Sequence, residues 1–181
     1  MTFRKIKTEL DGVYIIESSV YKDDRGFFTE SYVARDFKEI EIPYRYVQDN
    51  LSFSKKGVLR GMHYQLKPYP QDKYVFVVKG KILDVVVDIR KNSSTYKKYI
   101  KIELSNNTGR SLFVPQGYAH GFLALEDTHL YYKVTNPFFK DLDRSIRWND
   151  PDIGIEWGIE NPIISDKDKN APFIKDAEVF S

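Results

Sequence analysis

The sequence predicts an all-β fold, a sandwich or a barrel of short strands. Polar and apolar residues alternate in YIKIELS, Tyr99–Ser105, which places Ile100, Ile102 and Leu104 on one face of a half-buried strand. Turn signals such as Asn106–Gly109 recur about every ten residues, a spacing typical of sandwiches and barrels. Aromatic residues make up 15% of the chain, and they suit pleated, half-buried surfaces.

The remaining elements follow from local patterns. KYVFVVKGKILDVVVDIR, residues 73–90, reads as two strands on either side of a turn at Lys79–Gly80. Further strands are predicted at SLFVP and near GFLALE and HLYYKVT. A short helix is predicted at VARDFKEI, where Val33, Phe37 and Ile40 are spaced i, i+4 and i+7. From Trp148 onward the chain is rich in Pro, Asp and Asn, which predicts loops that wrap onto the sheet and cover their Ile and Trp residues.

Composition narrows the class of protein. A chain of 181 residues and 21.2 kDa is expected to form a single domain, residues 1–181. A net charge of +2 argues against binding nucleic acid by bulk electrostatics. No run approaches the ~20 apolar residues of a membrane helix, and MTFRKIKTELDG lacks the apolar stretch of a signal peptide. With zero Cys there is no disulfide framework, and a cytoplasmic protein is the simplest expectation.

One segment gathers charged residues at unusual density. GVLRGMHYQLKPYPQDKY, residues 57–74, holds Arg60, His63 and Lys73 between predicted strands, which indicates a site. His120 follows a tight turn in PQGYAHGF, so His63 and His120 are either structural histidines or partners in that site. His129 follows Asp127–Thr128 in a turn, and we interpret it as structural.

Two features indicate acid–base chemistry without a metal. Metal-binding cupin barrels offer H-x-H followed by Glu, but His63 is followed by Tyr64 and Gln65 and by no nearby Glu. No metal is therefore predicted, and His63 is free to act as a base. Tyr131 and Tyr132 are adjacent, so on a strand they point to opposite faces and one of them points inward, where it could be an acid.

A third cluster is YKDDRGFFTE, residues 21–30, with a turn at Asp24–Gly26. Arg25 is either a solvated hairpin residue or, with Arg60, Lys73 and Lys167, part of a cationic pocket suited to a diphosphate. Neither Gly-rich nucleotide loop, G-x-x-x-x-G-K-[ST] or G-x-G-x-x-G, occurs in the sequence.

Together these segments resemble the dTDP-4-dehydrorhamnose 3,5-epimerases of deoxysugar synthesis. The resemblance rests on DDRGFFTE, GVLRGMHYQ, DVVVDIR, PQGYAHGF, YKVTN, WNDPDIGIEW and ISDKD, which run in family order from about residue 20 to residue 170. It implies a cupin-type jelly-roll β-barrel with a few short helices and a loop-rich C-terminal tail. It also implies a homodimer that shares strands across its interface, no cofactor, and a dTDP-linked 4-keto-6-deoxysugar as the substrate, with no nucleic-acid or membrane partner.

The resemblance also implies roles for individual residues. His63 matches the general base, Tyr132 the proton donor, Asp168 the carboxylate that pairs with the base, and Lys73 the lysine near the keto oxygen. The implied substrate contacts are Arg25, Phe28, Glu30, Gln48, Asn50, Arg60, His120, Phe138, Asp143 and Lys167. At Phe138 the family commonly has a Tyr stacked on thymine, so any hydrogen bond of that hydroxyl is lost here while stacking is kept.

Other functions are compatible with part of this residue pattern. A C3-only epimerase of a related nucleotide-linked sugar shares nearly all of these residues. A cupin ketoisomerase would lack the GVLRGMHYQ and Lys73 arrangement. A sugar-nucleotide-binding barrel without activity predicts a broken base–acid set, whereas His63, Tyr132, Asp168 and Lys73 are all present. A metal-dependent oxygenase is disfavoured by the missing H-x-H and Glu.

Overall fold

Two antiparallel β-sheets pack face to face as a jelly-roll-like sandwich in the computed structural model, which describes residues 2–181. The strands are β1 Phe3–Lys7, β2 Tyr14–Ser18, β3 Val20–Asp23, β4 Gly26–Thr29, β5 Gln48–Ser54, β6 Leu59–Gln65, β7 Lys73–Lys79, β8 Lys81–Asp88, β9 Tyr99–Ser105, β10 Arg110–Val114, β11 Tyr118–Ala124, β12 Thr128–Val134 and β13 Asp143–Ser145. The helices are α1 Ala34–Glu39 and α2 Asp166–Lys169, with a 3-10 turn at Lys140–Leu142.

The sheet order decides which strands carry the site. One sheet has the order β1-β2-β10-β7-β12-β5, the other has the order β13-β6-β11-β8-β9, and β3 and β4 form a separate hairpin. The predicted all-β class is confirmed. β9 has the predicted bounds, and the turn at Gly80, with φ +88°, separates β7 from β8 as predicted.

Three apolar clusters hold the sheets in place. The first fills the sandwich and includes Val75, Val86 and Phe122. The second lies on the outer face of the five-stranded sheet, where Trp157 and Ile174 of the tail cover it, as the sequence predicted. Burial of such side chains is the main driving force for this packing.

The third cluster lies on the outer face of the six-stranded sheet. Phe37 of α1 packs there edge-to-face on Phe3 and Tyr74, with ring centroids 5.1 and 4.9 Å away. The predicted helix is therefore confirmed, and its apolar stripe explains its position. It covers only part of this face, since Leu51 and Phe53 remain 65% and 48% exposed. Within residues 2–181, no helix has the length and apolar character needed to cross a membrane.

Candidate active site

Toward one end of the strands, the side chains on the interior face of the sandwich are polar. His63 on β6 and His120 on β11 are direct partners in the antiparallel ladder of the five-stranded sheet. The two histidines are therefore neighbours in one sheet. Tyr132 lies on β12 of the opposing sheet, opposite Val75 of β7. The two sheets thus bring these side chains to one space.

That space is a cavity of about 170 Å³ between the sheets. The predicted residues among its lining are Arg60, His63, Lys73, His120 and Tyr132. Ser52, which sequence reasoning missed, also lines it. A second cavity of about 500 Å³ shares Arg60 and His63 with the first and adds Lys167 and Asp168. His63 therefore stands where the two cavities meet.

Asp168 orients the imidazole of His63. The Nε2–H of His63 donates to Oδ1 of Asp168 over 2.6 Å, and the amide of Gly61 donates to Oδ2 over 3.2 Å. Burial acts to raise the pKa of Asp168, but the hydrogen bond and charge of His63 and the Gly61 amide bring it below its usual range. The carboxylate favours the His63 tautomer that carries its proton on Nε2, and in that neutral tautomer Nδ1 is the nitrogen without a proton.

Local structure explains how Asp168 reaches β6. Ser165 caps the short helix α2, and its hydroxyl accepts a hydrogen bond of 3.2 Å from the amide of Asp168. The side chain of Asp168 is only 4% exposed. A capped turn of this kind fixes the carboxylate under β6.

A pair of glycines allows β6 and β11 to approach at the site. A Cβ on Gly61 would lie 2.6 Å from the Cα of Gly121, and a Cβ on Gly121 would lie 2.7 Å from the Arg60 carbonyl. Gly61 also has φ +136°, which L side chains rarely adopt. Both positions therefore require glycine.

Tyr132 and Lys73 complete the cavity from the six-stranded sheet. Burial raises the pKa of the Tyr132 hydroxyl despite the opposing charge of Arg60, so the group keeps its proton at neutral pH. Burial lowers the pKa of Lys73 to about 8, against the raising effect of Asp143 and Asp84. The Nζ of Lys73 donates to the backbone carbonyl of His63 over 3.3 Å.

Gln48, Asn50 and Phe138 form one network at the edge of the site. The Gln48 side chain donates to Asn50 over 2.8 Å and accepts from the amide of Phe138, also at 2.8 Å. Gln65, whose role the sequence did not reveal, accepts from the amide of Phe139 over 2.8 Å. The two glutamines hold the loop that presents the ring of Phe138, which is 54% exposed.

Asp143 and Lys167 are ion-paired with each other beside the second cavity. Asp143 is opposite Gln65 in the β13–β6 ladder. Arg60 donates from Nε to the Ser54 hydroxyl over 3.0 Å and from Nη2 to the Phe53 carbonyl over 3.0 Å. Arg60 and Lys167 thus place two cations around the second cavity.

Three predicted contacts lie elsewhere within the chain. Arg25, Phe28 and Glu30 belong to the β3–β4 hairpin or follow it, and none of them lines either cavity. Arg25 is instead ion-paired with Asp23 at 2.6 Å, and its side chain is 90% exposed. The expected cluster with Arg60, Lys73 and Lys167 does not form inside one chain, because the hairpin is a sheet of its own.

The carboxylates and histidines of the site pair with each other or with other side chains and do not cluster around a point. Among residues 2–181, no group of three or more His, Asp or Glu side chains is placed to hold a metal ion. His63 and His120 each face an aspartate instead, at 2.6 and 2.5 Å. The fold and site define a jelly-roll protein in which a His–Asp pair and a half-buried tyrosine lie on opposing walls of one cavity.

Comparisons with known proteins agree with that class. The sequence profile of the dTDP-4-dehydrorhamnose 3,5-epimerase family matches residues 7–176. The dTDP-4-dehydrorhamnose 3,5-epimerase of Methanothermobacter thermautotrophicus is 47% identical over 182 residues, with 98% of each chain covered. The crystal structure of the Sulfolobus tokodaii enzyme of that name superimposes with a TM-score of 0.93 at 44% identity, and all of both chains is covered. This chain belongs to the dTDP-4-dehydrorhamnose 3,5-epimerase family, and it is a carbohydrate epimerase, an isomerase.

Two solved structures with bound sugar nucleotides are also similar. The Legionella pneumophila 3,5-epimerase in complex with dTDP-4-keto-L-rhamnose has a TM-score of 0.92 at 38% identity, and the match covers 97% of this chain and 95% of that one. A 3'-monoepimerase from Streptomyces bikiniensis in complex with dTDP-quinovose has a TM-score of 0.88 at 30% identity, and the match covers 94% and 87%. Both complexes fit a dTDP-linked sugar as the substrate class.

Proposed function

We propose that this chain converts dTDP-4-dehydro-6-deoxy-D-glucose to dTDP-4-dehydro-L-rhamnose, with His63 as the base and Tyr132 as the acid. The observation that carries the proposal is their placement. His63 and Tyr132 line one cavity from opposing sheets, so a sugar ring between them offers one face to each. Inversion of a carbon requires that a proton leave one face and return to the other.

The proton removed is one that the substrate makes acidic. A 4-keto group acidifies the C–H bonds at C3 and C5, because loss of either proton gives an enolate. The Nδ1 of His63 takes the proton, and Asp168 stabilises the imidazolium that forms. The ammonium of Lys73 stabilises the developing charge on the keto oxygen.

Tyr132 returns a proton from the opposite wall. Its raised pKa means that the hydroxyl is protonated when the enolate forms. Transfer to carbon leaves a phenolate that the nearby Arg60 stabilises. Solvent then returns a proton to Tyr132 and accepts the proton that His63 carries, which resets the pair. The same pair can serve the second carbon after the ring shifts in the cavity.

The sequence identities to known epimerases support inversion at both C3 and C5. The 3,5-epimerase of M. thermautotrophicus is 47% identical to this chain, whereas the 3'-monoepimerase of S. bikiniensis is 30% identical. A C3-only epimerase is the second candidate, since that structure shares the fold at a TM-score of 0.88. A ketoisomerase or a binding protein without activity has less support, because the His63–Asp168 pair and Tyr132 meet at one cavity.

The second cavity suits the nucleotide diphosphate. Arg60 and Lys167 supply positive charge there, and the guanidinium of Arg60 can bind phosphate oxygens in a bidentate manner. Asp143, which is paired with Lys167, holds that lysine in place. The ring of Phe138 is exposed and can stack on thymine, and Gln48 accepts a hydrogen bond from its backbone amide, which supports this role.

The active assembly in this proposal is a homodimer. The outer face of β5, β12 and β7 carries exposed Leu51, Phe53 and Val78, and the hairpin adds Phe27 at 50% and Phe28 at 65% exposure. Apolar surface of this extent is typical of an interface between protein chains. The partner's hairpin would then bring its own Arg25, Phe28 and Glu30 to this chain's site. The cytoplasmic location stays a prediction.

Proton exchange tests the proposed reaction. The enzyme is incubated with dTDP-4-dehydro-6-deoxy-D-glucose in D₂O, and NMR follows deuterium at each carbon. We expect deuterium at both C3 and C5, with formation of the L-rhamno product. Deuterium at C3 alone would identify the C3-only epimerase. Absence of exchange at both carbons would overturn the proposal.

A further inference from the structure

A second His–Asp pair lies deeper in the sandwich and has no part in the mechanism above. His120 and Asp84 approach to 2.5 Å between Nε2 and Oδ1. Asp84 lies within the apolar run of β8, and Ile82 and Val86, two residues away on either side, belong to the interior cluster. Asp84 therefore points into the sandwich, where its side chain has no exposed surface.

The bonding of Asp84 differs from that of the other buried carboxylates. Among the residues described, no donor reaches its Oδ2. Asp88 on the same strand accepts hydrogen bonds from Arg90, Ser93 and Thr95, and Asp150 accepts from the amides of residues 152 and 174. Burying a carboxylate with an unsatisfied oxygen destabilises a fold. Strand packing alone does not explain why this position carries an acid.

The surroundings of Asp84 connect it to the reacting groups. His120 is the ladder partner of His63, and both line the cavity with Lys73. Burial lowers the pKa of Lys73, whereas the charges of Asp143 and Asp84 raise it and so favour the ammonium form. The titratable groups around that ammonium are His63 and Arg60 on β6, Asp84 on β8, His120 on β11, Tyr132 on β12, Asp143 on β13 and Lys167 on α2.

We propose that Asp84 is a positioning residue of the epimerase site, which holds His120 as the neutral Nε2–H tautomer and keeps Lys73 charged while the enolate forms. In this tautomer the Nδ1 of His120 is a hydrogen-bond acceptor. Among the groups of the substrate, a sugar hydroxyl is the donor that such an acceptor fits. The inference rests on the proposed role of Lys73 at the keto oxygen.

The first test compares Asp84→Asn with wild type. The amide is nearly isosteric but removes the charge and can donate to His120. We expect a fall in kcat of about tenfold or more, and a shift of the alkaline limb of kcat/KM to lower pH by about one unit. Val86→Ala is the matched control, because it also perturbs the buried face of β8 and leaves the carboxylate in place. We expect Val86→Ala to lower the midpoint of thermal unfolding and to leave the alkaline limb of the kcat/KM profile at its wild-type pH.

The outcomes separate this inference from the proposed function. If wild type exchanges deuterium at C3 and C5 and Asp84→Asn keeps the wild-type alkaline limb, the positioning role is wrong and the epimerase proposal stands. If wild type shows no exchange, the proposed function fails first.

If Asp84→Asn does not fold, a second measurement, made on the wild-type protein, tests the inference. The chain has three histidines, so long-range ¹H–¹⁵N spectra of wild type can resolve each ring. We expect the Nε2–H tautomer for His120 at pH 7. An Nδ1–H tautomer or an imidazolium at that pH would overturn the inference.

Discussion

The carboxylate of Asp168 lies 2.6 Å from the Nε2 of His63, although 105 residues separate them in the chain. The base that we propose therefore depends on the C-terminal tail, where Asp168 lies on a short helix outside both sheets. A capped turn at Ser165 and the amide of Gly61 hold the carboxylate from two sides. In the proposed mechanism this pair makes the tail part of the active site, and the first prediction concerns its carboxylate.

Asp168→Asn should lower kcat by roughly 10²–10⁴-fold with little change in KM, because the imidazole loses the group that fixes its tautomer and stabilises its charge. Steady-state kinetics on the dTDP sugar measures the effect. Asp166→Asn is the control, since Asp166 lies on the same short helix with an exposed side chain. Equal kinetics for the two variants would contradict the assigned role.

The rate should fall as the pH rises through about 8, the pKa of Lys73. Below that pH the lysine carries the charge that stabilises the enolate, and above it the charge is lost, so kcat/KM decreases about tenfold per pH unit. Profiles from pH 6 to 10 measure this limb. Lys73→Arg, which stays charged, should be slower yet flat in this range. A limb that persists in Lys73→Arg would assign it to another group.

Gly121→Ala should destabilise the fold by about 1–3 kcal/mol, because the new Cβ would meet the Arg60 carbonyl and the Met62 sulfur, both at 2.7 Å. Urea unfolding followed by circular dichroism measures the change. Gly158→Ala serves as the comparison, since nothing lies within 4 Å of its Cβ position and only its φ of +73° opposes the substitution. A loss for Gly121→Ala no larger than that for Gly158→Ala would show that β6 and β11 are not held so closely.

Leu51→Glu should dissociate the proposed homodimer, because it places a charge in the centre of the exposed apolar face of β5. Light scattering after size-exclusion chromatography gives the mass. Lys98→Glu, at an exposed position just before β9 of the other sheet, is the control. A wild-type monomer would contradict the dimer.

The sharing of sites between subunits has its own test. Arg25→Ala and His63→Ala, each inactive alone, should regain part of the activity when mixed and allowed to exchange subunits. In the mixed dimer one site has a wild-type His63 and receives the partner's intact hairpin. A mixture with no recovered activity, despite mixed dimers, would show that the hairpin acts within its own chain or not at all.

Phe138→Ala should raise KM for the dTDP sugar by about tenfold, since it removes the ring expected to stack on thymine. Phe138→Tyr should keep the wild-type KM, because the aromatic face is retained. Initial rates over a range of substrate concentrations measure both. An unchanged KM in Phe138→Ala would show that the thymine ring does not stack on Phe138.

Local patterns were sufficient for most of the fold. The alternation in Tyr99–Ser105 produced the observed strand, and the stripe of Phe37 and Ile40 produced the observed helix, because in each case one face of the element is buried. Sheet order was beyond such patterns. Nothing local in β6 or β11 tells that His63 and His120 are partners in one sheet, since pairing depends on the whole topology.

Site residues could be predicted where a reactive side chain lies in a recognisable sequence motif. His63, Lys73 and Tyr132, which the resemblance to the family assigned to one site, line the same cavity. Asp84 was missed, although an acid inside the apolar run ILDVVV was a visible signal that the position is special. The place of Arg25 could not be read from its turn, because an exposed hairpin gives no indication of which surface it reaches.

The most direct measurement separates proton removal from inversion in Tyr132→Phe. The variant and His63→Ala are incubated with the dTDP sugar in D₂O, and NMR follows deuterium and configuration at C3. With its base intact, Tyr132→Phe should take up deuterium with retained configuration and form almost no inverted product, while His63→Ala should show neither exchange nor inversion. Inversion by Tyr132→Phe at the wild-type rate, or exchange in His63→Ala, would contradict the assignment of base and acid to opposing walls.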